Sequence, residues 1–325
     1  MKRKTTVDFF LSKGLKSKFQ NYLENIKSGT FLLFGKSKKL KISLIQEIGL
    51  NKAEYIFLID DDIIPLEKVK YVLNYVRLSS DSLRIVVIDI DNVNIYSLNA
   101  MLKTLEEPPS NCIFILLKSD TNVIPTILSR SIKIFVNVDI GKLVEYLIKF
   151  CGYSLNWAEF VVYFSEQNFD IIDYFNHNLW NLKEKKPGKV FEKLLNFLFN
   201  PSIEIVFEED FWVKIFGSFI SYRALMLLIK SFLRDVYYLG IINKTYDPDF
   251  AKYLEKNLIF LKIIGREEFF NKVMRFRIVD YKLYQLLNFI KDINIGNIHI
   301  YKRVNKKILY VSLIYNLYVL LGGDI

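Results

Sequence analysis

Apolar positions fall into two regimes along this 325-residue chain. In the first 140 residues or so they come as short unbroken runs: Phe31–Phe34 (FLLF), Tyr55–Asp60 (YIFLID), Arg84–Asp91 (RIVVIDID), Cys112–Leu117 (CIFILL) and Ile132–Val138 (IKIFVNV). Runs of this length without polar alternation fit strands buried on both faces of a parallel sheet. Between them, helical spacing predicts a helix over residues 15–28, with Leu15, Phe19, Tyr22, Leu23 and Ile26 on one side and Gly29 as the stop. A second covers Pro65–Arg77, where Leu66, Val69, Val72, Leu73 and Val76 share a side. A third covers Val93–Leu105 and ends before Pro108-Pro109, because proline lacks the amide donor and restricts the residue before it. Thr126–Arg130 reads as a short helical turn that ends in Ser129 and Arg130.

From residue 139 the pattern is helical throughout. Lys142–Phe150, Leu155–Phe164, Ile171–Leu179 and Val190–Phe199 are predicted helices, with Lys183–Gly188 (KEKKPG) a polar break among them. Asn200-Pro201-Ser202 reads as a linker. Phe211–Leu239, Asp249–Ile264, Glu267–Arg275, Val279–Ile290 and Ile308–Leu321 are the helices expected beyond it. The last of these is an uncharged run containing Ser312 and Asn316, short for a membrane span and read as a buried terminal helix.

Composition narrows the classes. Apolar content of 51% places the chain among folded globular proteins. Two cysteines, Cys112 and Cys151, suit a reduced, cytoplasmic protein without a disulfide framework. With only His177 and His299 beside them, they argue against a structural zinc site. Residues 1–41 hold eleven Lys/Arg against Asp8 and Glu24, so nearly all of the net charge of +10 lies there. That stretch reads as a solvated lysine-rich face, with a phosphate-binding patch as the other reading.

Three groups could carry chemistry. After the first strand, Gly35 and Lys41 keep the spacing of a phosphate-binding G-x-x-x-x-G-K-[ST] loop. Leu40 replaces the second glycine, and its side chain would obstruct backbone wrapping around phosphates. Ile42 replaces the Ser or Thr that holds magnesium and offers no oxygen. Asp60-Asp61-Asp62 is read as a solvated turn rather than a cation site. Glu106-Glu107 sits at a helix end, where neighbouring residues do not face each other, and is given a structural role.

The segment LKTLEEPP (102–109), followed by FILL (114–117) and PTILSR (125–130), is similar to the clamp-loader branch of the AAA+ proteins. The pattern resembles most closely the delta-prime subunits of bacterial DNA polymerase III; it is specific over Tyr71–Arg130 and thin elsewhere. The resemblance implies an α/β AAA+ domain over 1–138, a helical lid over 139–199 and an all-α collar domain over 200–325. It implies that Ser129-Arg130 carries an arginine finger, with Ser131 in place of the usual Cys. Asp89 stands at the Walker B aspartate, but Ile90 stands where a glutamate polarises the attacking water, and isoleucine cannot accept a proton. Lys118-Ser119-Asp120 keeps only part of the polar run of the first sensor. No arginine occurs between Arg130 and Arg223, so the lid's sensor arginine is missing, as is the four-cysteine zinc module common after the P-loop.

These losses lead to an expected ATPase-inactive subunit. The degenerate positions Gly35, Leu40, Lys41, Ile42, Asp89 and Ile90 hold no cofactor and no metal. ATP is bound by neighbouring subunits, and Arg130, with Ser129, completes a neighbour's site in trans. The implied partners are gamma/tau motor subunits and the delta subunit, with the sliding clamp and primer-template DNA reached through the complex and no membrane. Three other readings stay open: a motor subunit, a clamp-opening delta-type subunit, or a basic DNA-binding protein on a decayed AAA+ scaffold, the last predicting salt-sensitive DNA binding centred on residues 1–41.

Overall fold

The computed structural model describes residues 10–321 except 13, 50–52, 54, 60–63, 79, 243, 266–268, 270–284, 286, 287 and 289–304. Asp60-Asp61-Asp62, the helices expected over Glu267–Arg275 and Val279–Ile290, and the basic residues Lys2, Arg3, Lys4 and Lys13 therefore lie outside the described residues. The chain divides into two compact units, residues 1–142 and 143–325.

The first unit runs α1 (Leu15–Asn25), β1 (Gly29–Phe34), α2 (Lys38–Gly49), β2 (Tyr55–Ile59), α3 (Leu66–Val76), β3 (Arg84–Asp89), α4 (Ile95–Glu106), β4 (Cys112–Lys118), α5 (Pro125–Leu128) and β5 (Ile132–Phe135). The five strands form one sheet in the order β2-β3-β4-β1-β5. Every pairing is parallel, with Leu32 opposite Leu116 and Val86 opposite Phe114. The unbroken apolar runs follow from this, since β3, all but the first residue of β1 and all but the last of β4 are buried. On one face Leu32, Val86, Ile88, Phe114 and Leu116 meet Val69, Val72 and Leu73 of α3 and Met101 and Leu105 of α4. Each such side chain contributes about 1.5–3 kcal/mol on burial. On the other face Phe19 of α1 meets Phe31 edge-on, with ring centroids 5.6 Å apart.

Two elements differ from expectation. The strand expected over Arg84–Asp91 stops at Asp89, and Ile90–Asn92 form a 3₁₀ turn capped by the Asp89 side chain, which accepts from the Asp91 amide. The helix α2 went unpredicted because three of its first four residues are lysines, which hides its apolar side: Leu40, Leu44, Ile45 and Ile48 are buried.

The second unit is helical. It takes in most of α6 (Ile140–Cys151), then α7 (Leu155–Phe164), α8 (Phe169–Asn178), α9 (Lys189–Phe199), α10 (Ile203–Val206), α11 (Glu209–Phe216), α12 (Phe219–Ile242), α13 (Pro248–Lys256), α14 (Ile259–Ile264) and a terminal helix, Lys306–Leu320. Its core is aromatic: Phe160 meets Phe260 at 5.1 Å and Phe175 meets Phe191 at 5.0 Å, both edge-on. The polar break KEKKPG contributes to a small hairpin, β6 (Trp180–Asn181) with β7 (Lys186–Pro187). The helix expected over Phe211–Leu239 is two helices, parted where Ser218 and Ser221 cap each other's amides through their hydroxyls. The helix expected over Asp249–Ile264 is also two: α13, capped by Asp247 accepting from the Asp249 and Phe250 amides, ends at Lys256, and α14 starts at Ile259. One acid is fully buried here. Asp235 of α12 accepts from the Phe260 amide at 2.8 Å and from Arg234, so a single carboxylate ties α12 to the first turn of α14.

Candidate functional site

The carboxyl ends of β3, β4 and β1 lie side by side, the place where open parallel sheets take ligands. Gly35, Lys36 and Ser37 are the whole connection between β1 and α2. Ser37 is the helix cap, its hydroxyl accepting from the Leu40 amide at 3.2 Å. The stretch that would be a phosphate-wrapping loop is therefore already helix from Lys38 onward. Leu40 is buried in the core, 3% exposed, and anchors the first turn of α2.

Gly35 has a packing reason to be glycine. A Cβ there would lie 2.9 Å from the Val136 carbonyl oxygen, because the chain passes tightly beside the segment after β5. Lys41 is 2% exposed, and its Nζ donates to the carbonyls of Gly35 at 2.7 Å and Lys118 at 2.8 Å. Buried charge demands such partners. This ammonium ties β1 to β4 from inside the fold.

The acids at these strand ends are also matched internally. Asp89, 6% exposed, faces Nζ of Lys38 at 2.8 Å and accepts from Asn92 Nδ2 at 3.1 Å. Asp91 accepts from Lys118 Nζ at 2.6 Å and from the Ser119 amide at 2.8 Å. Burial pulls the Lys118 pKa down, but the hydrogen bond and charge of Asp91, with Asp120, outweigh it and raise it overall. Lys118 is thus charged throughout the neutral range. Ile90, at the position expected to carry a polar residue, is buried in the apolar core beside α3 and α4. The sequence offered no signal for Lys38 as the partner of Asp89, since nothing local distinguishes it from Lys36 or Lys39. Removing one partner of a largely buried ion pair leaves the other uncompensated. Asp89→Asn is expected to lower the unfolding free energy by about 1–2 kcal/mol, read as a shift of the urea midpoint.

Ser129 and Arg130 lie apart from this network, just after α5. Thr126 and Ser129 are exposed and the Arg130 side chain is 27% exposed. Arg130 Nη1 donates to the Thr126 carbonyl at 2.9 Å, and Nη2 stands 3.0 Å from Glu106 Oε2 at the end of α4. Among the described residues no group of three or more His, Cys, Asp or Glu could hold a metal ion. No helix among them is long and apolar enough to cross a membrane.

This strand order, with a helix following β1 and a helical region after the sheet, is the α/β fold of the AAA+ clamp-loader type. Residues 19–138, most of the first unit, match the family described as DNA polymerase III, delta subunit. The fold is similar to that of a DNA polymerase III gamma subunit-related protein from Thermotoga maritima, at 15% identity and a TM-score of 0.51, over 94% of this chain and 99% of that one. A variant of RuvB from Thermotoga maritima aligns at 14% identity and a TM-score of 0.41, over 65% of this chain and 78% of that one. No curated protein matches the sequence.

Proposed function

We propose that this chain is the ATPase-inactive, delta-prime-type subunit of a DNA polymerase III sliding-clamp loader. In this reading its first unit stands in a ring of AAA+ subunits, with a lid over residues 139–199 and a collar domain over 200–325. Its neighbours are the gamma/tau motors and the delta subunit. The motors bind ATP, open the clamp, and load it on primer-template DNA. Arg130, with Ser129 beside it, completes a motor's ATP site in trans. A planar, permanently charged guanidinium suits the charge that develops on a transferring γ-phosphate.

One observation carries the inactive reading. The groups a nucleotide and its magnesium would meet are engaged by the chain's own lysines, Lys41 on the Gly35 and Lys118 carbonyls and Lys38 on Asp89. The motor alternative needs those contacts broken and a loop of three residues rebuilt. The presence of Ser129-Arg130 favours the delta-prime role over the clamp-opening one.

The isolated chain is expected to give no magnesium-dependent ATP binding by calorimetry at millimolar nucleotide. It is also expected to enter a stoichiometric complex when mixed with the motor and delta subunits of the same organism. Micromolar ATP binding would overturn the inactive reading, and failure to assemble would overturn the clamp-loader role.

A further inference from the structure

Glu106 has no local reason to be acidic. It occupies the last turn of α4 with Glu107 directly after it, and carboxylates at a helix C-terminus oppose the helix dipole. Its partner is across the fold surface. Glu106 Oε2 stands 3.0 Å from Nη2 of Arg130, 24 positions later in the chain. The guanidinium is held at two further points on its own turn: Nη1 donates to the Thr126 carbonyl at 2.9 Å and lies 3.4 Å from Ser129 Oγ. Nε is enclosed and has no hydrogen-bond partner. The head group is thus fixed from two sides by α4 and α5, while Glu106 uses one donor of a fork that has five.

We propose that Glu106 is a positioning residue for Arg130, setting the orientation in which the guanidinium meets a neighbouring subunit's γ-phosphate; this rests on the trans-finger reading above. An arginine is flexible, and ordering it at the moment of reaction raises the barrier. Donors already aimed where charge develops need no such reorganisation. The Glu106 contact does that ordering before the neighbour arrives; with Nε enclosed and one N–H of Nη1 on the Thr126 carbonyl, one N–H on each terminal nitrogen is left for phosphate. Ser129 assists by lining the same turn. The Glu-Glu pair before Pro108-Pro109 then has an assigned use, through its first member.

The test is the DNA- and clamp-stimulated ATPase of a fully reconstituted loader across a range of ATP concentrations. The set is wild type, Glu106→Ala, Glu106→Gln, Glu106→Asp, Arg130→Ala and the Glu106→Ala/Arg130→Ala pair, each checked for assembly by size-exclusion chromatography. Glu106→Ala is expected to lower kcat about three- to tenfold with KM for ATP unchanged, because an interaction felt only in the transition state acts on kcat. Glu106→Gln, a neutral residue of the same shape, should lose most of that amount, and Glu106→Asp should recover part of it. In the Arg130→Ala background the Glu106 change should have no further effect, since its influence runs through the guanidinium. An equal loss in that background would show general damage and overturn the proposal. So would a rate unchanged or raised by Glu106→Ala while Arg130→Ala is defective. If Arg130→Ala itself leaves the rate unchanged, the finger reading falls and takes the positioning role with it, so the two failures are told apart.

Discussion

Arg130→Ala is expected to lower the DNA- and clamp-stimulated ATPase of a reconstituted loader by about tenfold or more, with assembly intact. Fingers supplied in trans contribute about 10³–10⁵ to phosphoryl transfer in the systems where they are well placed. The structural setting makes this a clean experiment. Arg130 touches Glu106, the Thr126 carbonyl and Ser129 at a partly exposed turn, and such a pair contributes about 0–1 kcal/mol to stability. A fall in rate would then not come from unfolding. Arg130→Lys should remain defective, because an ammonium cannot reproduce the planar fork. An unchanged rate with the complex assembled would remove the trans finger and leave a structural or DNA-binding role as the better account.

Asp235→Ala is expected to destabilise the second unit by about 2–4 kcal/mol, since it strips the Phe260 amide and Arg234 of their buried acceptor. All three tryptophans, Trp157, Trp180 and Trp212, lie in that unit, so their fluorescence follows its unfolding in urea. The acid also carries a pH signature. Burial raises the Asp235 pKa to about 6, against the lowering by Arg234 and by the amides of Phe260 and Ile259. A carboxyl with a raised folded-state pKa contributes stability that is present below its unfolded pKa, near 3.8, and lost as pH rises through about 6. Wild type should therefore weaken between pH 4 and 6 by a few kcal/mol at most, roughly 2–3. Asp235→Asn, neutral at every pH, should keep an acceptor for Phe260 and lose that slope. A variant as pH-dependent as wild type would show that another group controls the window.

The sheet was legible because β1, β3 and β4 are covered on both faces, and nothing but an unbroken apolar run survives there. The helices α3 and α4 were legible because Val69, Val72 and Leu73, or Met101 and Leu105, repeat at one side of a turn. Two helix breaks were not: Ser218 and Ser221 cap through their hydroxyls, and Asn257-Leu258 part α13 from α14, each inside a pattern that reads as one continuous helix. At the candidate site Leu40 and Ile42 could be read from the spacing of Gly35 and Lys41, and Ile90 only through the family resemblance. The ion pairs there could not, because Lys38 on Asp89 and Lys118 on Asp91 join residues 51 and 27 positions apart, and charge pairing across that distance leaves no local trace. The same holds for Glu106 with Arg130.

The ammonium groups of Lys38 and Lys41 have a thermodynamic consequence. A site that needs nucleotide and magnesium to neutralise its acids and fill its loop is stabilised by mass action as those ligands rise and loosened as they fall. Here the neutralising charges are covalently part of the chain, at fixed effective concentration. The thermal midpoint of the first unit is therefore expected to be the same with and without millimolar magnesium-ATP. In the proposed loader, whose motors would change shape with each turnover, such a domain would present its neighbours with the same surface throughout.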